Sequence, residues 1–423
     1  MRTLWDVLLR RRDYRLVLGA GLVSLTGDWI LKVGLAFHVY TLTGSTLASG
    51  GLLLASFGPL VVLGSVAGVF ADRWDRRRTM IVTNVLHAVV LLPLLGVHDE
   101  GTLWLIYLVV LVQSCLQQFF RPAEQSLIPA LVDPGQLVTA NALNSQISDV
   151  ARLVGAALGG GLAALGGLPL LAAADAATYV LATGLLLAVR HRSERKPIDR
   201  TGGVARKLRA DWVEGLRICV AGPAMRLVFV FGLVTGVGEG AMSTLFAPFV
   251  STELGGDGTQ YGLILSSQAV GGIVGGLVAA AVGSRLRATW MWGVGAVLFG
   301  LVDLVLFLSP LVSDSLVPAF VCMVVVGVPG AFLVAGSMTV IQRLTDDTSR
   351  GRVFGALFAA EGVALLAGIF ASGVLGDVVG IIPVLVFQGL GFLVGGLVVL
   401  GRRRTLVAAG ADDVSPPLVR QPA

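Results

Sequence analysis

Twelve apolar stretches, each about as long as a lipid bilayer is thick, dominate the sequence. The hydrocarbon core of a bilayer is about 30 Å thick and needs roughly 20 apolar residues per helix. Such windows occur at 16–40, 47–71, 79–97, 102–123, 140–164, 168–189, 225–249, 260–283, 288–308, 315–340, 353–377 and 381–401. With 55% hydrophobic and 13% charged residues, the chain has too little polar surface to coat a soluble globule. The sequence therefore predicts an all-α membrane protein with twelve transmembrane helices.

The basic residues fall on alternate loops between these windows. All of the 31 Lys and Arg residues except Lys32 and Arg152 lie in the two tails, in the central segment, or in the loops after windows 2, 4, 8 and 10. The opposite loops carry acids such as Asp257 and Asp377. By the positive-inside rule, both termini are expected to be cytoplasmic in a multi-pass protein of the cell (inner) membrane. Because the charge is spread over short loops, the net charge of +5 does not indicate nucleic-acid binding.

The windows predict two pseudo-symmetric bundles of six helices. The N-terminal bundle is expected over 1–190 and the C-terminal bundle over 223–401, with a charged cytoplasmic linker over 191–222 and a disordered cytoplasmic tail over 402–423. Two matches at almost one spacing indicate a repeat: Asp72-Arg73 matches Ser284-Arg285 at 212 residues, and 128–133 matches 341–346 at 213 residues. Duplicated halves are the architecture of many secondary transporters.

The segment after the second window carries a specific pattern, Gly-Val-Phe-Ala-Asp-Arg-Trp-Asp-Arg-Arg-Arg over 68–78. It resembles the loop 2–3 signature of the major facilitator superfamily, which implies the major facilitator fold. The resemblance also implies a cluster that locks one face closed, formed here by Gly68, Asp72, Arg73, Arg76 and Arg77. A plain positive-inside anchor would also explain the arginines, but not the spacing from glycine to Asp-Arg.

Further segments narrow the resemblance within this superfamily. Residues 120–129 with 140–142, and Gln342 with 350–353, resemble the branch that contains the bacterial enterobactin exporter and macrolide-efflux-type permeases. Window 5 contains Gly155, Gly159 and Gly160 in a stretch similar to the antiporter motif Gly-Pro-x-x-Gly-Gly. Ala156 replaces the proline that would kink the helix, which weakens the case for antiport. The glycines are equally explained by close helix packing.

Several acids fall inside the predicted helices, where a charge is costly and requires a partner or a role. They are Asp28, Asp175, Glu239, Asp303 and Glu361, with Asp149 nearer a helix end. The repeat spacing pairs Asp28 with Glu239 and Asp149 with Glu361.

Of the four acids that the repeat spacing pairs, two have a basic neighbour and two do not. Asp28 with Lys32, and Asp149 with Arg152, can form neutralising pairs within a helix turn. A carboxyl without a counter-charge in an apolar medium favours its neutral form and can exchange a proton near neutral pH. We therefore expect Glu239 and Glu361, followed by Asp28 and Asp149, to bind the coupling proton or cation. The alternative is that these acids are structural and permanently protonated.

Together these features predict a secondary active transporter for efflux of a small hydrophobic or amphipathic molecule, of drug or siderophore type, driven by protons. Its expected partners are the substrate, protons and the lipid bilayer. A facilitator or uptake permease of the same fold is the alternative, because helix number does not determine direction. A membrane-embedded lipid-modifying enzyme or a sensor is disfavoured, since no HxxxxD, HExxH or Gly-Lys-Ser/Thr motif occurs. We expect no cofactor, metal site or catalytic residue, because the three cysteines lie far apart.

Overall fold

A computed structural model describes residues 11–71, 75–97, 100–133, 136–190, 204–345 and 350–412, and this part of the chain is almost entirely helical. The helices are α1 (Arg12–Thr43), α2 (Thr46–Ala71), α3 (Arg76–Val90), α4 (Leu103–Leu131), α5 (Leu137–Leu187), α6 (Val204–Ala221), α7 (Pro223–Pro248), α8 (Gly258–Val282), α9 (Ala288–Leu308), α10 (Val317–Arg343), α11 (Arg350–Val379), α12 (Ile381–Gly401) and α13 (Arg403–Ala408). Within the described ranges, ten helical segments are long and apolar enough to cross a bilayer. The protein is therefore an all-helical, multi-pass membrane protein.

Helix α5 is interrupted at Gly167, which has φ of 59° and ψ of −153°. Glycine adopts a positive φ without the steric cost of a Cβ atom, so the chain can bend sharply there. The break lies between the predicted windows 140–164 and 168–189. The ten segments include α5 as one long span, Gln146–Leu187. They do not include α2, of which only Thr46–Leu60 qualifies, as a shorter apolar helix.

The two ends of the helices differ in charge. We call the end with Arg11, Arg77 and Arg352 the basic side, and the end with Asp314 and Asp377 the acidic side. We also refer to α1–α5 as the N-terminal group and to α7–α12 as the C-terminal group. The two groups contact each other mainly where α5 packs on α8 and where α2 packs on α11.

The apolar core is shared between the two groups at the acidic side only. There, Val33 and Ala156 of the N-terminal group belong to one cluster with Phe246 and Tyr261 of the C-terminal group. Phe37 on α1 also stacks on Tyr261, with 5.9 Å between ring centroids. At the basic side, the described residues form two separate clusters, one within each group. In the described part of the chain, the groups are thus packed together at the acidic side and separate at the basic side.

Helix α6 and the start of the tail are docked on the C-terminal group. Arg352 of α11 forms an ion pair with Glu214 of α6 at 3.4 Å. The carboxylate of Asp412 accepts hydrogen bonds from the backbone N–H and hydroxyl of Thr289, at 3.0 and 2.7 Å, and thereby caps α9. The sequence predicts a disordered tail from residue 402; the described chain continues through α13 to Asp412, which makes this cap. Residues 413–423 lie outside the described part.

Candidate functional site

A cavity of about 400 Å³ in the C-terminal group contains both of the acids that the sequence predicts first. Glu239 of α7 and Glu361 of α11 line it, together with aromatic side chains such as Trp292 and Phe392. The carboxylate of Glu361 lies against Gly232, where a Cβ atom would be 2.5 Å from Oε1. Gly232 precedes Glu239 by seven residues, so the two acids occupy levels about 10 Å apart along α7. Among the residues that the structure describes, none that lines this cavity is basic.

Asp303 of α9 lies behind this cavity and is only 2% exposed. It is close enough to Glu239 for the two charges to interact, and its Oδ2 has no hydrogen-bond partner among the described residues. The sequence places Asp303 among the deep acids but offers no reason to associate it with Glu239, because the repeat spacing does not connect them.

A second cavity, of about 260 Å³, lies in the N-terminal group among α1, α2, α3, α4 and the part of α5 after Gly167. Asp28 lines it and accepts a hydrogen bond from the hydroxyl of Tyr179. The Nζ atom of Lys32 lies over the ring of Trp29, 5.0 Å from its centre, and 5.7 Å from that of Phe57. Among the described residues, Lys32 forms no ion pair with Asp28, although one turn of helix separates them. The tyrosine hydroxyl and the aromatic rings hold the two side chains instead.

Arg121 and His87 also line this cavity, and sequence reasoning missed both. Arg121 falls near the end of the predicted window 102–123, and the count of basic residues assigned it to the loop that follows. In the structure α4 continues through Pro122 and Pro129 to Leu131, so Arg121 lies inside the helix. The His87 ring stacks on Tyr179 with 4.7 Å between centroids.

Asp149 is separate from both cavities. It makes no ion pair with Arg152 within the described ranges, and a guanidinium nitrogen of Arg152 instead lies 3.7 Å from where a Cβ atom of Gly272 on α8 would be. Asp175 is fully buried, with Oδ1 only 2.4 Å from where a Cβ atom of Gly27 would be. The structure thus brings Glu239 and Glu361 together, places Asp28 in another cavity, and leaves Asp149 outside both.

The three glycines of the motif in α5 lie where helices cross closely. A Cβ atom at Gly155 or Gly159 would lie 2.6 Å from a backbone carbonyl oxygen of α1. At Gly160 it would lie 2.1 Å from the carbonyl oxygen of Gly258 on α8. Small residues let helix backbones approach in a membrane, where lipid provides no hydrophobic drive for association. These glycines therefore join α1, α5 and α8.

Only part of the predicted gating cluster lies in the described residues. Asp72 and Arg73 lie outside them, and Gly68 lies in the backbone of α2. Arg76 donates a hydrogen bond to the Ser126 carbonyl at 2.7 Å, and Arg77 donates to the carbonyls of Leu186 and Leu187 at 3.0 and 2.8 Å. Both arginines thus bind backbone carbonyls within the N-terminal group, and those bound by Arg77 are end groups that a helix leaves without partners.

A carboxylate ties the two groups together at the acidic side. Asp377 of α11 accepts hydrogen bonds from the backbone N–H and the hydroxyl of Thr46, both at 2.9 Å. It also accepts from the Ser45 hydroxyl at 3.1 Å and from the Leu47 N–H at 3.4 Å. An acid placed at the first turn of a helix satisfies free N–H groups and interacts favourably with the helix dipole. Asp377 thus caps α2 from the other group.

The apolar helices, the two cavities that hold charged groups within them, and the closure at one side define a membrane transport protein. The sequence matches, over residues 7–421, the major facilitator superfamily profile described as transmembrane secretion effector, and the chain belongs to this family. The predicted superfamily is thus confirmed. The chain is a transporter and not an enzyme.

Known proteins agree with this assignment. The chain is 23% identical to the staphyloferrin A transporter of Staphylococcus aureus over 86% of its length and 89% of the relative's. It is also 23% identical to macrolide efflux protein A of Streptococcus pyogenes, over 85% and 88%. The fold resembles the crystal structure of a bacterial homologue of the iron transporter ferroportin in an inward-facing state, with a TM-score of 0.74, 17% identity, and 93% and 98% of the two chains covered.

Proposed function

We propose that this transporter exports a small hydrophobic or amphipathic molecule in exchange for protons, and that Glu239 and Glu361 carry those protons. The observation that carries the proposal is that both acids line one cavity whose lining includes no basic residue. A carboxylate without a counter-charge in an apolar surrounding is costly, and a bound proton removes that cost. The cavity therefore favours proton binding when it is closed and proton release when water enters it.

Efflux is the proposed direction because a relative is a macrolide efflux protein. A facilitator or uptake permease of the same fold is the alternative. Asp28 and Asp149 are the second-ranked proton sites in the proposal.

The proposed architecture has twelve transmembrane helices in two bundles. If α2 crosses the membrane and Gly167 divides α5 into two spans, the ten segments become twelve. We propose bundles over 1–190 and 223–401, a cytoplasmic linker over 191–222 and a cytoplasmic tail over 402–423. The basic side is then cytoplasmic, as the positive-inside rule requires. Because the groups are packed together at the acidic side, the conformation is open towards the cytoplasm, and the segment from Gly68 to Arg77 would close that face in the opposite state.

Proton coupling can be tested by substitution of the two acids. A panel of macrolides and dyes, in an efflux-deficient host with and without a protonophore, identifies a transported compound. Its efflux is then measured from proteoliposomes under an imposed pH gradient. Glu239→Gln and Glu361→Gln keep the shape of the side chain but cannot titrate, so gradient-driven efflux should fall about tenfold or more and its pH profile should flatten. Passive exchange of the compound should persist.

Asp314→Asn is the matched control, since this exposed acid lies on the acidic side outside both cavities. It should leave coupling unchanged. Coupling like that of the wild type in both glutamine variants would mean that these acids are structural, while the transporter fold would stand.

A further inference from the structure

The cavity in the N-terminal group holds two cations that have no ion-pair partner. Lys32 and Arg121 both line it, and in the part of the chain that the structure describes neither forms a salt bridge within 4 Å. Glu124, the acid nearest to Arg121 along α4, is close enough for the two charges to interact but forms no ion pair with Arg121 within 4 Å. Its Oε1 lies against α1, 3.1 Å from where a Cβ atom of Gly21 would be. Unpaired cations are costly at membrane depth, which makes them candidates for ligand binding.

The acid in the cavity does not balance these charges. Within the described ranges, Asp28 is the one carboxylate that lines it, and the hydroxyl of Tyr179 already binds that carboxylate. His87 stacks on Tyr179, and neither of its ring nitrogens has a hydrogen-bond partner among the described residues. The lining thus has an excess of positive charge even when Asp28 is ionised.

The rest of the cavity is suited to an apolar ring system. Trp29 and Phe57 flank the ammonium group of Lys32, and leucines of α1 and α2 complete the wall. Amide and hydroxyl groups of α4, such as Gln117 and Ser114, provide hydrogen bonds. Ligand sites commonly combine an apolar wall with a few polar groups that orient the ligand. At about 260 Å³ the space accommodates one or two rings of a ligand together with its polar group.

The two cavities therefore have opposite charge. The C-terminal cavity has acids and no basic lining residue, whereas the N-terminal cavity has more basic groups than acids. A transported anion would enter the N-terminal cavity without meeting the acids of the C-terminal one.

We infer that the N-terminal cavity binds the acidic head group of an amphipathic organic anion, with Lys32 and Arg121 as the charged ligands of its carboxylate or sulfonate. The aromatic or aliphatic body of that anion packs on Trp29, Phe57 and the leucines. This inference rests on the proposed function in taking the bound molecule to be the one transported.

A matched set of probes tests the inference by binding alone. 2-Naphthoate, 2-naphthamide and 2-naphthylmethylammonium share one ring system and differ in charge. Binding to the full-length protein in lipid nanodiscs is measured by equilibrium dialysis against empty nanodiscs and by the shift of the unfolding temperature. The naphthoate should bind about tenfold or more tightly than the amide, and the ammonium compound should bind more weakly than both. Equal binding of naphthoate and amide to the wild type, or preference for the cation, would overturn the inference without any variant.

Substitutions then locate the site. Lys32→Met and Arg121→Gln should each weaken naphthoate binding about tenfold and leave naphthamide binding unchanged, whereas Lys32→Arg should retain the preference. Arg152→Gln is the matched control, because this cation also lies in a membrane helix without an ion pair in the described part but outside the cavity. Its preference for the anion should equal that of the wild type. Naphthoate preference that survives in both Lys32→Met and Arg121→Gln would overturn the assignment. Anion preference in a protein that moves no compound would contradict the proposed transport and not this site.

Discussion

At the scale of single residues, the tyrosine that binds Asp28 links three parts of the N-terminal group. Tyr179 is almost completely buried, donates its hydroxyl proton to Asp28 of α1, and stacks its ring on His87 of α3. A hydrogen bond to an ionised acceptor contributes more to stability than one to a neutral acceptor, because a charged group buried without a partner is especially costly. Tyr179 should therefore stabilise both the position of Asp28 and the cavity around it.

We predict that Tyr179→Phe lowers the free energy of unfolding by about 2 kcal/mol, since it removes a hydrogen bond to a partly buried carboxylate. Denaturant titration of the purified protein in detergent measures this change. Tyr107→Phe is the control, because Tyr107 donates at 3.0 Å to the neutral carbonyl of Ala48 and its loss should cost about 1 kcal/mol. An equal or larger loss of stability in Tyr107→Phe would mean that the hydrogen bond to Asp28 contributes no more than one to a neutral carbonyl.

The depth of the charged residues could be predicted from sequence, but their partners could not. Asp28 and Glu239 lie inside apolar windows, which is enough to place them in the membrane. Their contacts depend on helices far away in the chain, as Tyr179 is 151 residues from Asp28. The place of Arg121 in a cavity could not be predicted either, because the other walls of that cavity come from α1, α2, α3 and the end of α5.

At the scale of helices, the crossing of α5 and α8 depends on the absence of side chains. Gly262 of α8 lies opposite α5, where a Cβ atom would be 2.3 Å from the Ala156 carbonyl oxygen. The hydroxyl of Ser266 donates to the Leu153 carbonyl at 2.9 Å across the same crossing. Together with Gly160, which lies against Gly258, these residues keep the two backbones in contact over the first third of α8, from Gly258 to Ser266.

We predict that Gly160→Ala destabilises this crossing by about 1–3 kcal/mol, because the added methyl group would meet the Gly258 carbonyl and force the helices apart. Gly161→Ala is the matched control, since its Cβ atom would have no neighbour within 4 Å among the described atoms. That variant should be neutral or slightly stabilising, as alanine favours helix. Unfolding temperatures of the two variants, measured side by side, check the prediction. Similar temperatures for both would argue against close packing as the role of the motif.

The approximate extent of most apolar helices could be predicted from hydropathy, and the details that differ have local causes. Window 79–97 corresponds to α3, which ends at Val90 and continues as a tighter 3-10 turn over Leu92–Gly96, where Pro93 lacks the N–H of a regular helix. The break at Gly167 falls in the predicted gap between two windows. Hydropathy could not reveal that the chain bends there at a single residue with positive φ rather than through a loop.

At the scale of the whole molecule, the two groups are held together at the acidic side by apolar packing and by Asp377. The hydrogen bonds of this one carboxylate to the first turn of α2 join segments that are more than 300 residues apart in the chain. Breaking them is a requirement for any opening at this side. Asp377 therefore contributes directly to the balance between the closed and open states of the acidic side.

We predict that Asp377→Asn increases the population that is open at the acidic side by about fivefold to tenfold, since a neutral amide binds the start of α2 more weakly than a carboxylate does. Pulsed dipolar spectroscopy between spin labels at positions 165 and 312 measures this change. Both positions are more than 80% exposed and lie in different groups on the acidic side.

Asp314→Asn carries the same labels as a control, because Asp314 is an exposed acid on this side whose carboxylate accepts no hydrogen bond in the described part of the chain. Its distance distribution should match that of the wild type. An unchanged distribution in Asp377→Asn would mean that apolar packing alone closes the acidic side.

The family could be predicted from one loop signature, since the pattern over 68–78 is specific and the profile match confirms it. The closure of the acidic side and the docking of the tail could not be predicted from sequence, because both depend on tertiary contacts of single acids. Asp377 lies in the last turn of α11 and Asp412 lies beyond the end of α13, neither with a local signal, and each caps a helix that is distant in sequence.

The bend at Gly167 divides α5 into two arms that meet at one residue. About 10 Å of helix separates Gly167 from Gly160 at the crossing with α8, and about 18 Å separates it from Tyr179 in the wall of the N-terminal cavity. No loop lies between the arms to absorb displacement. A change of the backbone angles at this one residue would therefore shift Tyr179 relative to the crossing with α8, and with it the hydrogen bond to Asp28.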